Sequence, residues 1–236
     1  MTNWKTFWQN YRKIQISSDD DLLFQVGYTV NGQIIKPETF ESIITGISVK
    51  LMLDSNDILL DLCCGNGIVT FRLSKFVDRV TGIDFSDYLI ENAIKYKSGN
   101  NISYLKYDVS KLKEIVNDLR NFNKVLLYGG LAYLSKKQFN NLLITLHEVL
   151  PDNALIFIGS ILDKSKRWQF FDTFKRRFIF IYKYKILGSD PGIGNWWSKE
   201  NFIKLTGLQG FNCTIFDQES SIHSNHYRFD ALLSKK

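Results

Sequence analysis

The sequence predicts an α/β fold in which a doubly wound, mostly parallel sheet carries helices on both faces. Three observations point there. Short apolar runs such as Ile58-Leu59-Leu60-Asp61-Leu62 alternate with helical patterns between residues 58 and 161, the signature of repeated βαβ units. The 236 residues, 44% apolar and 14% aromatic, suffice to bury one large core. With only three prolines and 23% charge, a disordered or low-complexity chain is excluded.

Taken in order, residues 1–53 read as an N-terminal helical extension or lid, and residues 54–236 as the main domain. Trp4, Phe7, Trp8 and Tyr11 lie at helical spacing, which predicts an amphipathic helix packed on that domain. An acidic turn, Asp19-Asp20-Asp21, precedes the stretch from Leu22 to Gly32. Pro37-Glu38 then opens a helix to about Leu53, with proline at its permissive first turn. Ile58 to Leu62 is the first strand, followed by a glycine-containing turn and a helix through Phe76. Arg79 to Asp84 is the second strand and Asp87 to Lys97 the second helix. Ile102 to Tyr107 is the third strand, with Lys111 to Leu119 helical after it. Lys124 to Tyr128 is the fourth strand. Lys136 to Leu150 is a helix with Leu142, Leu143, Leu146 and Leu150 on its apolar side, and Ala154 to Ile161 the fifth strand. A sheet of this kind binds its ligand beyond the carboxyl ends of the strands, where strand order reverses.

Residues 163–197 form an insertion. Its stretch from Lys164 to Lys185 is basic and aromatic, with Trp168, Phe171, Phe174 and Phe178 on one helical face. A turn-rich loop from Gly188 to Gly194 ends in Asn195-Trp196-Trp197. Ser198 caps a helix to about Thr206, and Phe211–Phe216 and His226–Leu233 are expected to close the sheet edge as a hairpin.

The formal charge of +6 is concentrated in that insertion. Residues 164–185 carry a net +7, which leaves −1 for all the rest, so the chain is not basic all over, as nonspecific nucleic-acid binders often are. Cys63, Cys64 and Cys213 are odd in number and lack zinc-type spacing, so neither a disulfide framework nor a metal site is expected. The first residues lack the apolar core of a signal peptide. The longest apolar runs, such as Ala154 to Leu162, fall short of the roughly 20 residues that span a bilayer. A soluble, cytoplasmic protein is the expectation.

The chemistry concentrates in Asp61-Leu62-Cys63-Cys64-Gly65-Asn66-Gly67. A strand ends in a carboxylate, Gly65 and Gly67 let backbone approach a ligand, and the following helix start presents free N–H groups. The spacing is not the Gly-x-Gly-x-x-Gly of dinucleotide binding. It fits acidic-x-Gly-x-Gly-x-Gly with Cys63 at the first glycine. Asp84, nineteen residues after Gly65 at the end of the second strand, can accept from both ribose hydroxyls. Asp108 follows the third strand and can accept from an adenine amino group.

With Gly82-Ile83-Asp84-Phe85-Ser86, Tyr107-Asp108-Val109 and the fourth-strand segment Lys124 to Leu131, the stretch Ile58–Ile161 resembles the core of class I S-adenosylmethionine-dependent methyltransferases. The resemblance implies a Rossmann-like, seven-stranded sheet with an antiparallel last strand. It implies that Asp61 and the glycine turn hold the methionine end of the cofactor, Asp84 the ribose, and Asp108 with Val109 the adenine. The implied cofactor set is Asp61, Cys63, Gly65, Asn66, Gly67, Asp84, Phe85, Asp108, Val109 and Tyr128. Phe24 to Gly32 and Tyr227-Arg228-Phe229-Asp230 resemble methyltransferases of sugar and polysaccharide biosynthesis, which makes Gln25 and Tyr28 candidates for the cofactor or substrate mouth.

Methyl transfer from a sulfonium needs positioning above all, and a hydroxyl acceptor gains from a base. His223 and His226, in the connection before the last strand, are the candidate bases, with Asp163 a further one. His147 lies within an apolar helix and reads as structural. Trp196 and Trp197 are candidates to stack on an acceptor. The expected activity is O-methylation of a sugar or related small molecule, with no specific nucleic acid as partner; whether the acceptor is phosphorylated, otherwise anionic or nucleotide- or lipid-linked, and whether the chain makes peripheral membrane contact, is left open. The alternatives are an RNA methyltransferase, an NAD-dependent oxidoreductase and a non-catalytic membrane-surface module.

Overall fold

The computed structural model describes residues 4–186, 188 and 193–236. Most of the expected loop between Gly188 and Gly194 lies outside the described residues. The chain runs α1 (Trp4–Asn10), α2 (Asp19–Gln25), β1 (Thr29–Val30), β2 (Gln33–Ile34), α3 (Pro37–Leu51), β3 (Ile58–Leu62), α4 (Ile68–Leu73), β4 (Arg79–Asp84), α5 (Asp87–Tyr96) and β5 (Ile102–Lys106). It continues with β6 (Lys124–Tyr128), α6 (Lys136–Val149), β7 (Leu155–Leu162), α7 (Arg167–Phe170), α8 (Phe174–Ile181), α9 (Lys199–Leu208), β8 (Phe211–Asp217) and β9 (Arg228–Lys235).

Seven strands form one sheet in the order β5-β4-β3-β6-β7-β9-β8. The first five pair in parallel, and β9 runs antiparallel to both β7 and β8. This is the mostly parallel sheet with an antiparallel last strand that the sequence predicts. β9, the last strand, slots between β7 and β8, so β8 becomes the edge. Strand order reverses at β3, with β4 on one side and β6 on the other.

β3 and β6 are apolar almost throughout because helices cover both of their faces. On one face, α6 and α9 bury Phe139 and Phe202 with Trp197 and Phe229. On the other, α2, α3 and α4 bury Leu22, Ile43, Ile47 and Leu51. The helix boundaries follow local chemistry. Pro37 starts α3, Ser135 and Gln138 form a reciprocal capping box on α6, and Ser198 caps α9.

Three local expectations change. Asn31 (φ 50°) and Gly32 (φ 80°) make a tight β1–β2 hairpin, the Asn-Gly turn whose twist suits paired strands. Residues Val109–Leu119 wind as a 3₁₀ helix after Asp108, whose side chain accepts from Ser110 N at 3.0 Å. The aromatic face expected across residues 168–178 is broken, because Thr173 starts a new helix by accepting from Arg176 N. Phe171 is then buried while Phe174 is 87% exposed. No helix among the described residues is long and apolar enough to cross a membrane.

Candidate active site

A cavity of about 790 Å³ lies at the carboxyl ends of β3, β4 and β6, at the reversal of strand order where such sheets take ligands. One end is acidic. Asp61, near the end of β3, is buried and accepts from Thr70 Oγ1 at 2.6 Å. Burial pushes its carboxyl up to about 7 against that hydrogen bond. Beyond it, Cys63 (φ 59°), Gly65 (φ 58°) and Gly67 (φ 75°) are all left-handed. Glycine takes such angles freely and cysteine does not, which explains why Cys63 departs from a glycine pattern at a cost. Gly130 makes the room. A Cβ there would meet Cys63 Cβ at 2.7 Å and Sγ at 2.8 Å.

Asp84 ends β4. Its carboxylate accepts from Gly65 N at 3.0 Å and Ser86 N at 2.9 Å, so it also holds the glycine turn in place. Burial raises it to about 6, opposed by these bonds. Asp108 follows β5 and accepts from Ser110 Oγ at 2.7 Å and from Lys5 Nζ. Lys5 belongs to α1, whose Gln9 also donates to Phe85 O at 3.4 Å. The rings of Trp4 and Trp8 lie 4.8 and 5.2 Å from Tyr133. α1 therefore roofs the cavity.

The other end is built from distant segments. Tyr28, Tyr128, Ser160, His223, Ser224 and Arg228 line it. Ser160 is left-handed (φ 63°) where the β7–β9 register shifts. Its N–H donates to Asp230 Oδ1 at 2.8 Å, and Gln218 Nε2 donates to the same oxygen at 2.9 Å. Arg228 Nη1 donates to Ser160 O at 2.7 Å and Oγ at 3.0 Å. Burial pushes the hydroxyls of Tyr28 and Tyr128 above their ordinary range, so both stay protonated donors. Burial, with the charge of Arg228, pushes His223 down to about 4 and keeps its ring neutral.

Residues 59–153 match a family described as "Methyltransferase domain". That stretch is similar to methyltransferase domains. The fold agrees. A magnesium protoporphyrin IX methyltransferase from Synechocystis PCC 6803, solved with SAH bound, superposes with a TM-score of 0.61 at 14% identity, covering 100% of this chain and 95% of that one. An N-methyltransferase from Bradyrhizobium japonicum WM9, in complex with S-adenosyl-L-homocysteine, gives 0.58 at 15% identity over 84% of this chain and 87% of its own. Among curated proteins, a tRNA (uracil-5-)-methyltransferase homolog from Pongo abelii is 30% identical over 107 residues, 45% of this chain and 20% of that protein. The chain thus spans about a fifth of the length of the curated relatives it matches.

Of the residues expected from the sequence, Asp61, Cys63, Gly65, Asp84, Phe85, Asp108, Val109 and Tyr128 line the cavity, as do Tyr28 and His223. Several expected residues sit elsewhere. Asn66 is buried and donates to Leu22 O at 2.8 Å and Gln25 Oε1 at 2.9 Å, so Asn66 and Gln25 tie α2 to the glycine turn from behind. Gly67 is filled from outside, since a Cβ there would meet Tyr104 Oη at 2.4 Å. Trp197 is 2% exposed and packs on Phe139 and Phe202. Trp196 faces Phe170 and Phe171. Neither tryptophan lines the cavity, because Trp197 is packed in the core and Trp196 lies against the aromatics of the insertion. His226 lies against Tyr227, 4.8 Å away, outside the lining. Asp163 caps the turn at Lys164–Lys166 through Ser165 rather than facing the cavity. His147 packs on Phe211 at 5.3 Å, a structural position.

The lining also includes Tyr133, Gly129, Gly130, Ser160 and Arg228, which were not expected there. Gly129-Gly130 and Tyr227-Arg228 stand in motifs the sequence displays. Nothing in the sequence marks Ser160, because a left-handed serine has no compositional sign. None of the described side chains of residues 164–183 lines the cavity, whereas Gly188 and Asn195, later in the same insertion, do.

Proposed function

We propose that the domain binds S-adenosylmethionine at the acidic end of the cavity and methylates a hydroxyl of a small molecule, a sugar or related metabolite, at the other. The residues fit the cofactor. Asp61 and Asp84 are carboxylates whose pKa values burial raises, and a cationic, hydroxyl-rich ligand offsets that desolvation. Asp61 suits an ammonium, Asp84 the ribose hydroxyls, and Asp108 with Val109 the adenine. The cofactor contributes an already activated methyl group.

The chain's own residues then hold the acceptor. Tyr28 and Tyr128 donate hydrogen bonds to acceptor oxygens. His223 is neutral, and its Nδ1 is buried without a hydrogen-bond partner, so the ring can hydrogen-bond the acceptor beside them. α1 excludes water by lying across the mouth.

The observation that carries the small-molecule reading is the roofed cavity. At about 790 Å³ it sits within the range of roughly 300–1,000 Å³ usual for small-ligand sites. The RNA methyltransferase relatives share less than half of this chain, and none of the relatives reported above is named for polysaccharide biosynthesis. Calorimetry with S-adenosylhomocysteine should show saturable binding; binding of NAD in its place would sink the reading. Label from methyl-³H S-adenosylmethionine should appear in the small-molecule fraction of a cell extract. Label in RNA alone would replace the acceptor class.

A further inference from the structure

Arg228 stands out among the cavity residues. It forms no ion pair among the described residues, and its Nε is buried without a hydrogen-bond partner. Asp230, two residues on, is committed to Ser160 N and Gln218 Nε2. Ser224 Oγ holds that Gln218 at 2.9 Å. The network fixes Ser160, and Ser160 in turn fixes one arm of the guanidinium. His223 lines the same end with an unpartnered Nδ1. Arg228 is half-buried and lies over the Tyr227 ring at 5.2 Å; an oriented guanidinium with no ion pair and an unused Nε donor is suited to meet an anion.

We propose that the acceptor carries an oxyanion, a carboxylate or a phosphate, held by Arg228 with His223 beside it. Planar guanidinium donors match both groups in two-point geometry. The polarity of the cavity then orients the acceptor, since the acidic cofactor side, where Asp84 is ionised at neutral pH, repels its anionic end. This inference rests on the methyltransferase reading and adds its substrate class.

The test uses the full chain loaded with S-adenosylhomocysteine and three probes: glucuronate, glucose 6-phosphate and neutral glucose. At least one anion should bind, and R228Q should weaken it at least tenfold while leaving S-adenosylhomocysteine affinity and Tm near wild type. Which anion binds distinguishes carboxylate from phosphate. H223N should weaken the same anion by a smaller factor, and the His223 imidazole resonances should shift when that anion is added. R228K, which keeps the charge but loses the fork, should fall between wild type and R228Q. Equal binding of glucose and the anions, no binding of either anion, or an unaffected R228Q each overturns the proposal. If S-adenosylhomocysteine itself fails to bind wild type, the failure belongs to the methyltransferase reading.

A separate observation carries a second inference. On α8 and the turn after it, Phe174 is 87% exposed and Phe178 61%, and Ile181 and Tyr182 are also exposed. They recur at i, i+4, i+7 and i+8, one face of a helix, in the segment whose net charge is +7. Exposed aromatics among basic residues suit an anionic lipid surface, where rings enter the interface and cations meet headgroups. We infer that α8 docks the protein on anionic membranes. Sedimentation with phosphatidylglycerol vesicles should show binding that pure phosphatidylcholine vesicles do not support. The F174S/F178S variant should lose about tenfold or more in affinity with its fold intact. Absence of vesicle binding, a dimer that F174S/F178S dissolves, or retention on RNA but not lipid would overturn it.

Discussion

The two ends of the cavity are built in different ways. At the acidic end, Asp61, Asp84 and Asp108 lie near the carboxyl ends of three neighbouring strands, β3, β4 and β5, each stepped two residues beyond the one before in register. At the other, Tyr28, Ser160, His223 and Arg228 arrive from the N-terminal extension, β7, the β8–β9 connection and β9. Arg228 reaches Ser160 only because β9 pairs antiparallel with β7, placing Arg228 opposite Leu162. The acidic end therefore repeats one βα device, whereas the acceptor end is a product of strand order. Their electrostatics are opposite as well, with the buried carboxylates of Asp61 and Asp84 at one end and a guanidinium without an ion pair among the described residues at the other.

The largest effect should come from the acidic end. Asp84→Ala removes the acceptor for the ribose hydroxyls and the anchor of the glycine turn, so S-adenosylhomocysteine affinity should fall by ~1–3 kcal/mol by calorimetry. Unchanged affinity would break the assignment of that end.

Next comes the turn itself. Gly130→Ala forces a Cβ onto Cys63 and should cost about 1–3 kcal/mol of stability, read as a lower Tm. Combining it with Cys63→Gly should restore part of the loss. Additive losses would show that the two positions are not coupled.

A pH series sharpens the contrast further. Asp61 and Asp84 have folded-state values near 7 and 6, above the ordinary carboxyl value. Their stabilising contribution is therefore full below about pH 4 and is lost as pH rises through 6 and 7. The ligand-free protein should lose Tm across that window from these groups, and the Asp61→Asn/Asp84→Asn variant should show a flatter profile. S-adenosylhomocysteine affinity should rise over the same window as Asp84 ionises. A flat wild-type profile would mean that burial does not perturb these carboxyls.

The smallest effect should be at the roof. Lys5 is exposed where it meets Asp108, so Lys5→Ala should change cofactor affinity by no more than ~1 kcal/mol. A larger loss would make α1 part of the cofactor site rather than its cover.

Legibility in the sequence followed the same divide. Asp61, Asp84 and Asp108 could be read because each ends a strand whose apolar run is visible, and the Gly65/Gly67 turn because only glycine takes those angles cheaply. The aromatic spacing of Trp4, Phe7, Trp8 and Tyr11 also marked α1 as a helix. Trp196 and Trp197 could not be placed, since an aromatic pair has the same sequence sign whether it stacks on a ligand or, like Trp197, fills a core beside Phe139. The insertion misled for a related reason. Its charge is visible, but the direction its side chains take depends on where Thr173 restarts the helix.

By itself, then, the sequence determined the order of strands and helices, the carboxylates at their tips and the turn between the first two. These rest on periodicity and backbone preference, which act over a few neighbouring residues. Only the tertiary structure decided that α1 roofs the cavity, that Gln25 and Asn66 brace it from behind, and that Arg228 faces inward unpaired. Those outcomes depend on which strands lie side by side and in what register, and that is settled by burying the whole sheet at once.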